Sequence, residues 1–246
     1  MIPDWLLPIL FAAIAFVYAS VGFGGGSSYL ALLALAAIPF QEMRLAALIC
    51  NIIVVGGGTL IFFQNRQVDF RKILPLVAVS VPAAYLGAKM RISQETFFHL
   101  LGASLLLAAA LLWFQPQRRE ENLESKPQPV RDGFLGGAIG WLSGMVGIGG
   151  GIFLSPVLHF FRWDTARKIA ATASVFILVN SISGIAGQLS HLLLGINWSR
   201  ITLLGAAVLV GGQLGSRVSA GRFNPVLIRR WTAVLVFVAG LEAVLK

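Results

Sequence analysis

The fold is decided by the stretch Val21-Gly22-Phe23-Gly24-Gly25-Gly26-Ser27-Ser28, because a similar stretch returns about half the sequence later. The second copy is Val146-Gly147-Ile148-Gly149-Gly150-Gly151. Each copy follows a mostly apolar segment and precedes another. Because glycine has no Cβ, a cluster of glycines allows a helix to end or bend and lets a ligand approach the bare backbone. The sequence therefore predicts two interrupted helical segments at the centre of the fold.

The composition is typical of a membrane protein. Charged residues make up 12% of the chain and hydrophobic residues 57%, and the mean hydropathy is +0.82, whereas a soluble domain carries about 25% charge. The chain consists of apolar segments close to the ~20 residues that cross a hydrocarbon core as a helix. We therefore expect an all-α polytopic membrane protein without a separate soluble domain. The net charge of +9 is scattered through short loops, which argues against nucleic acid as a partner.

The apolar segments and their breaks set the order of the elements. In the first half, helices are predicted at residues 4–20, 27–38, 44–64, 71–88 and 95–114. Pro39 is expected to end the second of these, because proline cannot extend the helical hydrogen-bond ladder. A hydrophilic segment divides the chain nearly in half. We predict a first membrane repeat at 1–114, a cytoplasmic linker at 115–132 and a second membrane repeat at 133–246.

The two halves are related by an internal duplication. Sliding the second half onto the first places Arg44-Leu45-Ala46-Ala47 on Lys168-Ile169-Ala170-Ala171, and Gln64 on Gln188. A similar slide places Leu86-Gly87-Ala88-Lys89 on Leu214-Gly215-Ser216-Arg217. The matches occur in one order over most of each half. Internal repeats of this kind are typical of secondary transporters.

The distribution of Lys and Arg indicates that the repeats are inverted. If the segments around 4–38 and 133–160 are re-entrant hairpins, each half adds three crossings and most basic residues fall on one face. The other face then keeps only Arg44, Lys89, Arg91, Arg200 and Lys246. The basic face of a membrane protein is normally cytoplasmic, so both termini are predicted to be periplasmic or extracellular. Full crossing of both hairpin arms would divide the charges in the same way. The hairpin is favoured by length, because a twelve-residue arm spans only ~18 Å.

This geometry predicts an anion path between the two glycine clusters. Non-helical backbone at membrane depth must line a cavity or be buried in protein, and a helix that starts after the glycines points its positive dipole end and free N–H groups at the centre. The alternative is that the glycines only allow tight helix packing. The candidate contacts of the substrate here are Gly24, Gly25, Gly26, Ser27, Ser28, Gly149, Gly150 and Gly151.

Polar residues within the predicted spans extend the list of candidates. Asn51, Thr172, Ser174 and Asn180 are expensive to bury in a membrane and therefore suggest a lined cavity, although each could equally hydrogen-bond across a helix interface. No Asp or Glu lies deep in a span, so a carboxylate proton relay has no evident carrier. Dinucleotide, phosphate-loop and serine-hydrolase motifs are absent. We predict that the chain is not an enzyme and uses no cofactor and no metal.

These motifs resemble the TauE/SafE sulfite-exporter family of membrane permeases over essentially the whole chain. The resemblance is carried by the paired Val-Gly-x-Gly-Gly-Gly segments, the central linker and the Leu-Gly-Ala-Lys and Leu-Gly-Ser-Arg pair. It implies passage of small anions such as sulfite, sulfonates or carboxylates by a multi-pass protein in the lipid bilayer of a bacterial inner membrane. The resemblance leaves open whether the protein forms a homodimer. The family motif falls on Gly22–Ser28 and Gly147–Gly151, and the second copy lacks the paired serines, so the site is not fully symmetric.

Three functions remain open at this point. The first is a transporter, an exporter of small anions, in which two inverted repeats rock to give alternating access. The second is a passive anion channel of the same architecture, which needs no coupling ion. The third is an accessory subunit without flux of its own. Saturable flux with counterflow would favour the transporter, and large single-channel currents would favour the channel.

Overall fold

The computed structural model describes residues 3, 5–20, 24–115, 127–189, 196–217 and 225–245. The segment Val21–Phe23 of the first glycine stretch and most of the predicted linker lie outside this part. The described residues form helices joined by turns, as expected for an all-α chain. The helices are α1 Leu6–Ser20, α2 Gly26–Leu35, α3 Phe40–Gln64, α4 Phe70–Lys89, α5 Gln94–Phe114, α6 Pro129–Val146, α7 Gly151–Phe160, α8 Ala166–Gln188, α9 Trp198–Arg217 and α10 Pro225–Val244.

Three helix boundaries differ clearly from those predicted. Helix α2 already ends at Leu35, and the turn that follows contains Ala37 in the left-handed region with φ 55°. Pro39 instead precedes the first turn of α3, where its fixed φ is compatible with helix initiation. As a result α3 begins at Phe40 rather than near 44. In the second half, α6 begins at Pro129, inside the segment that composition assigns to the linker.

The length and surface of the helices are those of a multi-pass membrane protein. Four of them, α3, α4, α5 and α8, are long and apolar enough to cross a bilayer, and α1, α2 and α7 are shorter apolar helices. Many large apolar side chains are exposed at the surface of the bundle, which is the expected state of residues that face lipid. Examples are Trp5, Leu60, Phe70, Phe114 and Trp231.

Small residues bring two pairs of parallel helices into close contact. A Cβ added to Gly140 of α6 would lie 2.6 Å from the carbonyl oxygen of Ser80 in α4, and the contacts of Gly136 and Gly144 continue this seam in the same direction along both helices. Helices α1 and α9 meet in the same way, because Gly211 and Gly215 pack against the backbone of successive turns of α1. Glycine at every fourth position allows membrane helices to approach this closely.

Helices α3 and α8 cross in opposite directions. Leu48 packs against Gly184, Asn51 and Ser181 both contact Gly149, and Val55 and Ile177 both contact Gly24. The α3 residues ascend in number while the α8 residues descend, so the two helices are antiparallel. Helices α5 and α10 are antiparallel by the same criterion, because Gly102 meets Val244 and Gly240 meets Leu105 and Leu106.

One end of the bundle, here called the Glu42 end, is defined by Glu42, Asn197 and Arg200. The Glu42 carboxylate accepts hydrogen bonds from Arg200 Nη1 at 2.8 Å and from the backbone N–H of Asn197 at 3.4 Å. Helices α3 and α9 therefore begin at the same end of the bundle. Leu7 shares a surface pocket with Asn197 and Arg200, so α1 also begins there. Helix α2 ends only a few residues before α3 and therefore returns to this end.

The opposite end, the Asp164 end, is defined by Lys72, Asp132, Trp163 and Asp164. Lys72 Nζ donates to Asp164 Oδ2 at 2.6 Å, and Trp163 Nε1 donates to Asp132 Oδ2 at 3.0 Å. Helices α4, α6 and α8 therefore begin at this end, and α7 finishes there. Helix α1 begins and helix α2 ends at the Glu42 end. Helix α6 begins and helix α7 ends at the Asp164 end, so the two pairs lie at opposite ends of the bundle.

Two basic residues that the sequence places at the starts of predicted helices are buried in the bundle. Lys72 is 8% exposed, and its ammonium group is held by Asp164 and lies 5.5 Å from the ring of Trp163. Arg44 is 6% exposed and lies within α3. Because α3 begins four residues earlier than predicted, Arg44 is placed one turn inside the bundle.

Candidate functional site

The two glycine clusters lie against each other in the structure. A Cβ on Gly26 would collide with the carbonyl oxygen of Ile148, so the backbone of the first cluster touches the backbone of the second. Asn51 of α3 joins them, since its Nδ2 donates to the same Ile148 oxygen at 2.9 Å. Asn51 is fully buried. We call this arrangement the glycine contact and define it by Gly24–Gly26, Ile148–Gly151 and Asn51.

Two buried oxygens without a partner face the glycine contact. Asn51 Oδ1 lies 2.8 Å from the position of a Cβ on Gly24, and Ser181 Oγ lies 3.0 Å from that of a Cβ on Gly149. Neither atom has a hydrogen bond among the described residues. An unpaired buried polar group costs free energy comparable to a lost hydrogen bond, so these groups are suited to receive a polar ligand or water.

Two helices begin at the glycine contact. Helix α2 starts at Gly26 after Gly25, and α7 starts at Gly151 after Gly150, and neither start carries a side-chain cap. The first N–H groups of a helix have no intrahelical acceptor, and the helix dipole adds partial positive charge there. Since α2 and α7 lead to opposite ends of the bundle, their positive ends meet at the glycine contact.

The second cluster needs glycine for its backbone conformation. Gly149 has φ +84° and Gly150 has φ +83°, in the left-handed region that residues with a Cβ rarely adopt. These two residues reverse the chain between α6 and α7. In the first cluster the requirement is steric, because a Cβ on Gly25 would lie 2.6 Å from the ring of Tyr29.

Several predicted candidates lie elsewhere among the described residues. Ser28 is hydrogen-bonded to the Tyr18 hydroxyl at 2.8 Å, so its side chain is directed at α1. Asn180 donates to the Phe176 carbonyl oxygen one turn earlier in α8. Ser27 is buried and directly follows Gly26. Thr172 and Ser174 are also buried, and neither of them is among the atoms nearest to the glycines of the contact. The role of all these side chains in binding stays a prediction.

Two residues at the glycine contact are absent from the sequence-based candidates. Ile177 supplies an apolar wall next to Gly24, Gly149 and Gly151, and Ser181 supplies the hydroxyl beside Gly149. A signal for them exists in the sequence. Ser174, Ser181 and Gln188 are seven residues apart, so they share one face of α8 with Ile177. Periodicity alone does not show that this face is turned to the glycines.

The comparisons with known proteins match nearly the whole chain. The family model of the sulfite exporter TauE/SafE matches residues 6–243. The chain is 32% identical over 239 residues to the "Probable membrane transporter protein y4hK" of Sinorhizobium fredii (strain NBRC 101917 / NGR234), and the match covers 96% of each chain. It is 23% identical over 202 residues to the "Probable membrane transporter protein YunE" of Bacillus subtilis (strain 168), covering 74% of this chain and 73% of the relative. No solved structure matches the chain.

The family is named for sulfite export and both relatives are named as probable membrane transporters, so the expectation that this chain is a transporter and not an enzyme is confirmed. The match extends over almost all described helices, from α1 to α10. The resemblance drawn from the paired glycine stretches is confirmed as well. The chain belongs to the sulfite exporter TauE/SafE family of multi-pass membrane proteins.

Proposed function

We propose that this protein carries small oxyanions, such as sulfite or organosulfonates, across the membrane through the glycine contact. The observation that carries the proposal is the meeting of Gly26 and Ile148 at the N-terminal ends of α2 and α7. Free N–H groups and helix dipoles at one buried point favour a negative ligand. The Asn51 Nδ2 group at the same point donates to the Ile148 carbonyl oxygen and so holds the second cluster against the first.

The placement of acidic side chains supports an anion rather than a cation. In the described part of the chain, the buried carboxylates Glu42, Asp132 and Asp164 lie at the two ends of the bundle. Each is bound to a basic side chain there: Arg200, Arg131 and Lys72, respectively. The centre of the bundle therefore combines backbone N–H groups with neutral side chains, which does not repel an anion.

We further propose that the two halves are inverted repeats that rock against each other. Several pairings support this. Helix α4 packs on α6 as α9 packs on α1, and the equivalent helices α3 and α8 are antiparallel. The ion pair Lys72–Asp164 at one end has its counterpart in Arg200–Glu42 at the other. Exchange between these two similar ends would expose the glycine contact to each side of the membrane in turn.

The orientation of the repeats can be tested by cysteine labelling. Cys50 is the single cysteine of the chain and is buried, so Cys50→Ala is a suitable background. We expect a membrane-impermeant maleimide to label Ser199→Cys from outside the cell and Asn65→Cys only after permeabilisation. Gln94→Cys, exposed at the same end as Ser199, is the positive control and should be labelled from outside. Labelling of residues 65 and 199 from the same side would rule out inversion.

Transport itself is tested with purified protein in liposomes. We expect radiolabelled sulfite or a sulfonate to enter with saturable kinetics and to show counterflow when unlabelled anion is trapped inside. A panel of sulfite, sulfonates and carboxylates at equal concentration defines the substrate class. Currents of single-channel size with no saturation would favour the passive channel instead. No flux of any of these anions would remove the proposed function.

A further inference from the structure

Arg44 is a buried cation outside the glycine contact. Its Nη2 donates to the carbonyl oxygens of Gly144 at 3.0 Å and Ala88 at 3.4 Å, while its Nε is buried without an acceptor. In the part of the chain that the structure describes, no ion pair joins Arg44 to a carboxylate. A charge buried in this way is costly unless a counter-charge is supplied.

Gln188 lies at the same level of the α3–α8 crossing. Leu48 packs against Gly184, and one further turn in opposite directions along the antiparallel helices leads to Arg44 and Gln188. Gly187 contacts Ala88, the residue whose carbonyl oxygen accepts from Arg44. Gln188 is 6% exposed, and its Nε2 is buried without a partner. Two donor atoms without an acceptor, Arg44 Nε and Gln188 Nε2, therefore belong to residues that meet at the C-terminal end of α4.

We propose that Arg44 and Gln188 form a second oxyanion-binding site between the Glu42 end and the glycine contact. This inference rests on the proposed anion transport. A guanidinium and an amide both donate N–H groups to an oxyanion, and a charged donor roughly doubles the strength of such a bond. Arg44 lies two turns from Asn51 on the same face of α3, and the buried Leu48, which packs against Gly184, lies between them.

A purely structural role for Arg44 explains its two hydrogen bonds to carbonyl oxygens but not its unpaired Nε donor. The carbonyl oxygens of Ala88 and Gly144 belong to the last turns of α4 and α6, where a cation stabilises the helix dipole. One Nη2 atom serves both acceptors, and the Nε donor is left over. An anion supplies the missing acceptor together with the missing counter-charge.

The second half of the chain shows that the fold does not require a buried cation at this place. Lys168 is aligned with Arg44 by the duplication, and its side chain is 44% exposed and pairs with Asp164 at 3.5 Å. Gln64, aligned with Gln188, is exposed. The buried cation and the buried amide therefore occur together only at one end of the α3–α8 crossing. Within the described helices, the proposed binding site has no counterpart at the other end.

The test is equilibrium binding of radiolabelled sulfite, and of methanesulfonate as an unreactive analogue, to the purified full-length protein. We expect two classes of site in the wild type. Arg44→Gln should weaken one class by about tenfold or more, and Gln188→Leu by about three- to tenfold, as expected for lost charged and neutral hydrogen bonds. The other class should be unchanged in Arg44→Gln, which shows that the loss is not due to misfolding. Arg44→Lys, which keeps the charge, should retain both classes.

Arg91→Gln is the matched control, because Arg91 is an exposed cation at the same end of the bundle, and it should bind as the wild type does. Binding by Arg44→Gln and Gln188→Leu equal to that of the wild type would overturn the proposal, as would a wild type that binds neither anion. Arg44-dependent binding without flux in liposomes would leave this site in place and refute only the transport function.

Discussion

Replacing Gly149 with alanine is expected to abolish anion flux. The residue has φ +84°, and the left-handed conformation costs a residue with a Cβ about 1–2 kcal/mol. The new Cβ would also lie 2.7 Å from Asn51 Nδ2 and 3.0 Å from Ser181 Oγ, so it would occupy the point at which we propose that the anion binds. The measurement is tracer uptake into liposomes, normalised to the amount of correctly inserted protein.

A matched control comes from a second glycine triplet, Gly56–Gly58 in α3. Nothing lies within 4 Å of a Cβ added to Gly56 or Gly58, and alanine favours a helix interior over glycine by about 1 kcal/mol. Gly56→Ala and Gly58→Ala are therefore expected to keep wild-type flux and equal or higher thermal stability. If Gly149→Ala transports as well as these variants, the glycine contact is not on the anion path.

Changing Asn51 to aspartate is expected to reduce anion flux at least about tenfold. The substitution hardly changes the shape of the side chain, so its main effect is the added charge. The new carboxylate would replace an amide whose Nδ2 donates to the Ile148 carbonyl oxygen at 2.9 Å. The carboxylate would place a fixed negative charge between the two helix starts, where we propose that the anion binds. It would repel the anion, because like charges repel strongly at buried sites. The same liposome assay measures the effect.

Asn51→Ala separates this charge effect from the loss of a hydrogen bond. Removing the amide leaves the Ile148 carbonyl oxygen without this donor, which costs about 1–3 kcal/mol of stability, but it adds no charge and no volume. We expect Asn51→Ala to unfold at a lower temperature and still transport anions. Equal loss of flux in Asn51→Ala and Asn51→Asp, at equal insertion, would show that Asn51 acts through structure and not through charge.

Much of the helix layout is predictable because the bilayer sets the length of an apolar segment. Helices α1, α4 and α5 differ from the expected segments by only one or two residues at their ends. The start of α3 differs from the prediction, because Pro39 directly precedes the first turn of α3 and does not end α2. Arg44 therefore lies one turn inside α3 and not at its first residue.

The candidate site was predictable in one respect and not in another. The duplicated glycines marked where helices are interrupted, since the absence of a Cβ is a local property of the chain. The polar residues that accompany them could not be selected in this way. Asn51 and Ser181 face the glycine contact, whereas Ser28 bonds to Tyr18 and Asn180 bonds within its own helix.

By itself, the sequence determined the membrane class, the recurrence of the glycine stretch and the two helix breaks, because each follows from local composition and from the repeat of a short motif. Only the tertiary structure decided which faces of α3 and α8 meet the glycines and that Arg44 is buried beside the last turns of α4 and α6. The reason is physical. Periodicity shows which residues share one face of a helix, but the neighbour that covers this face is chosen by close packing of small residues distant in the chain.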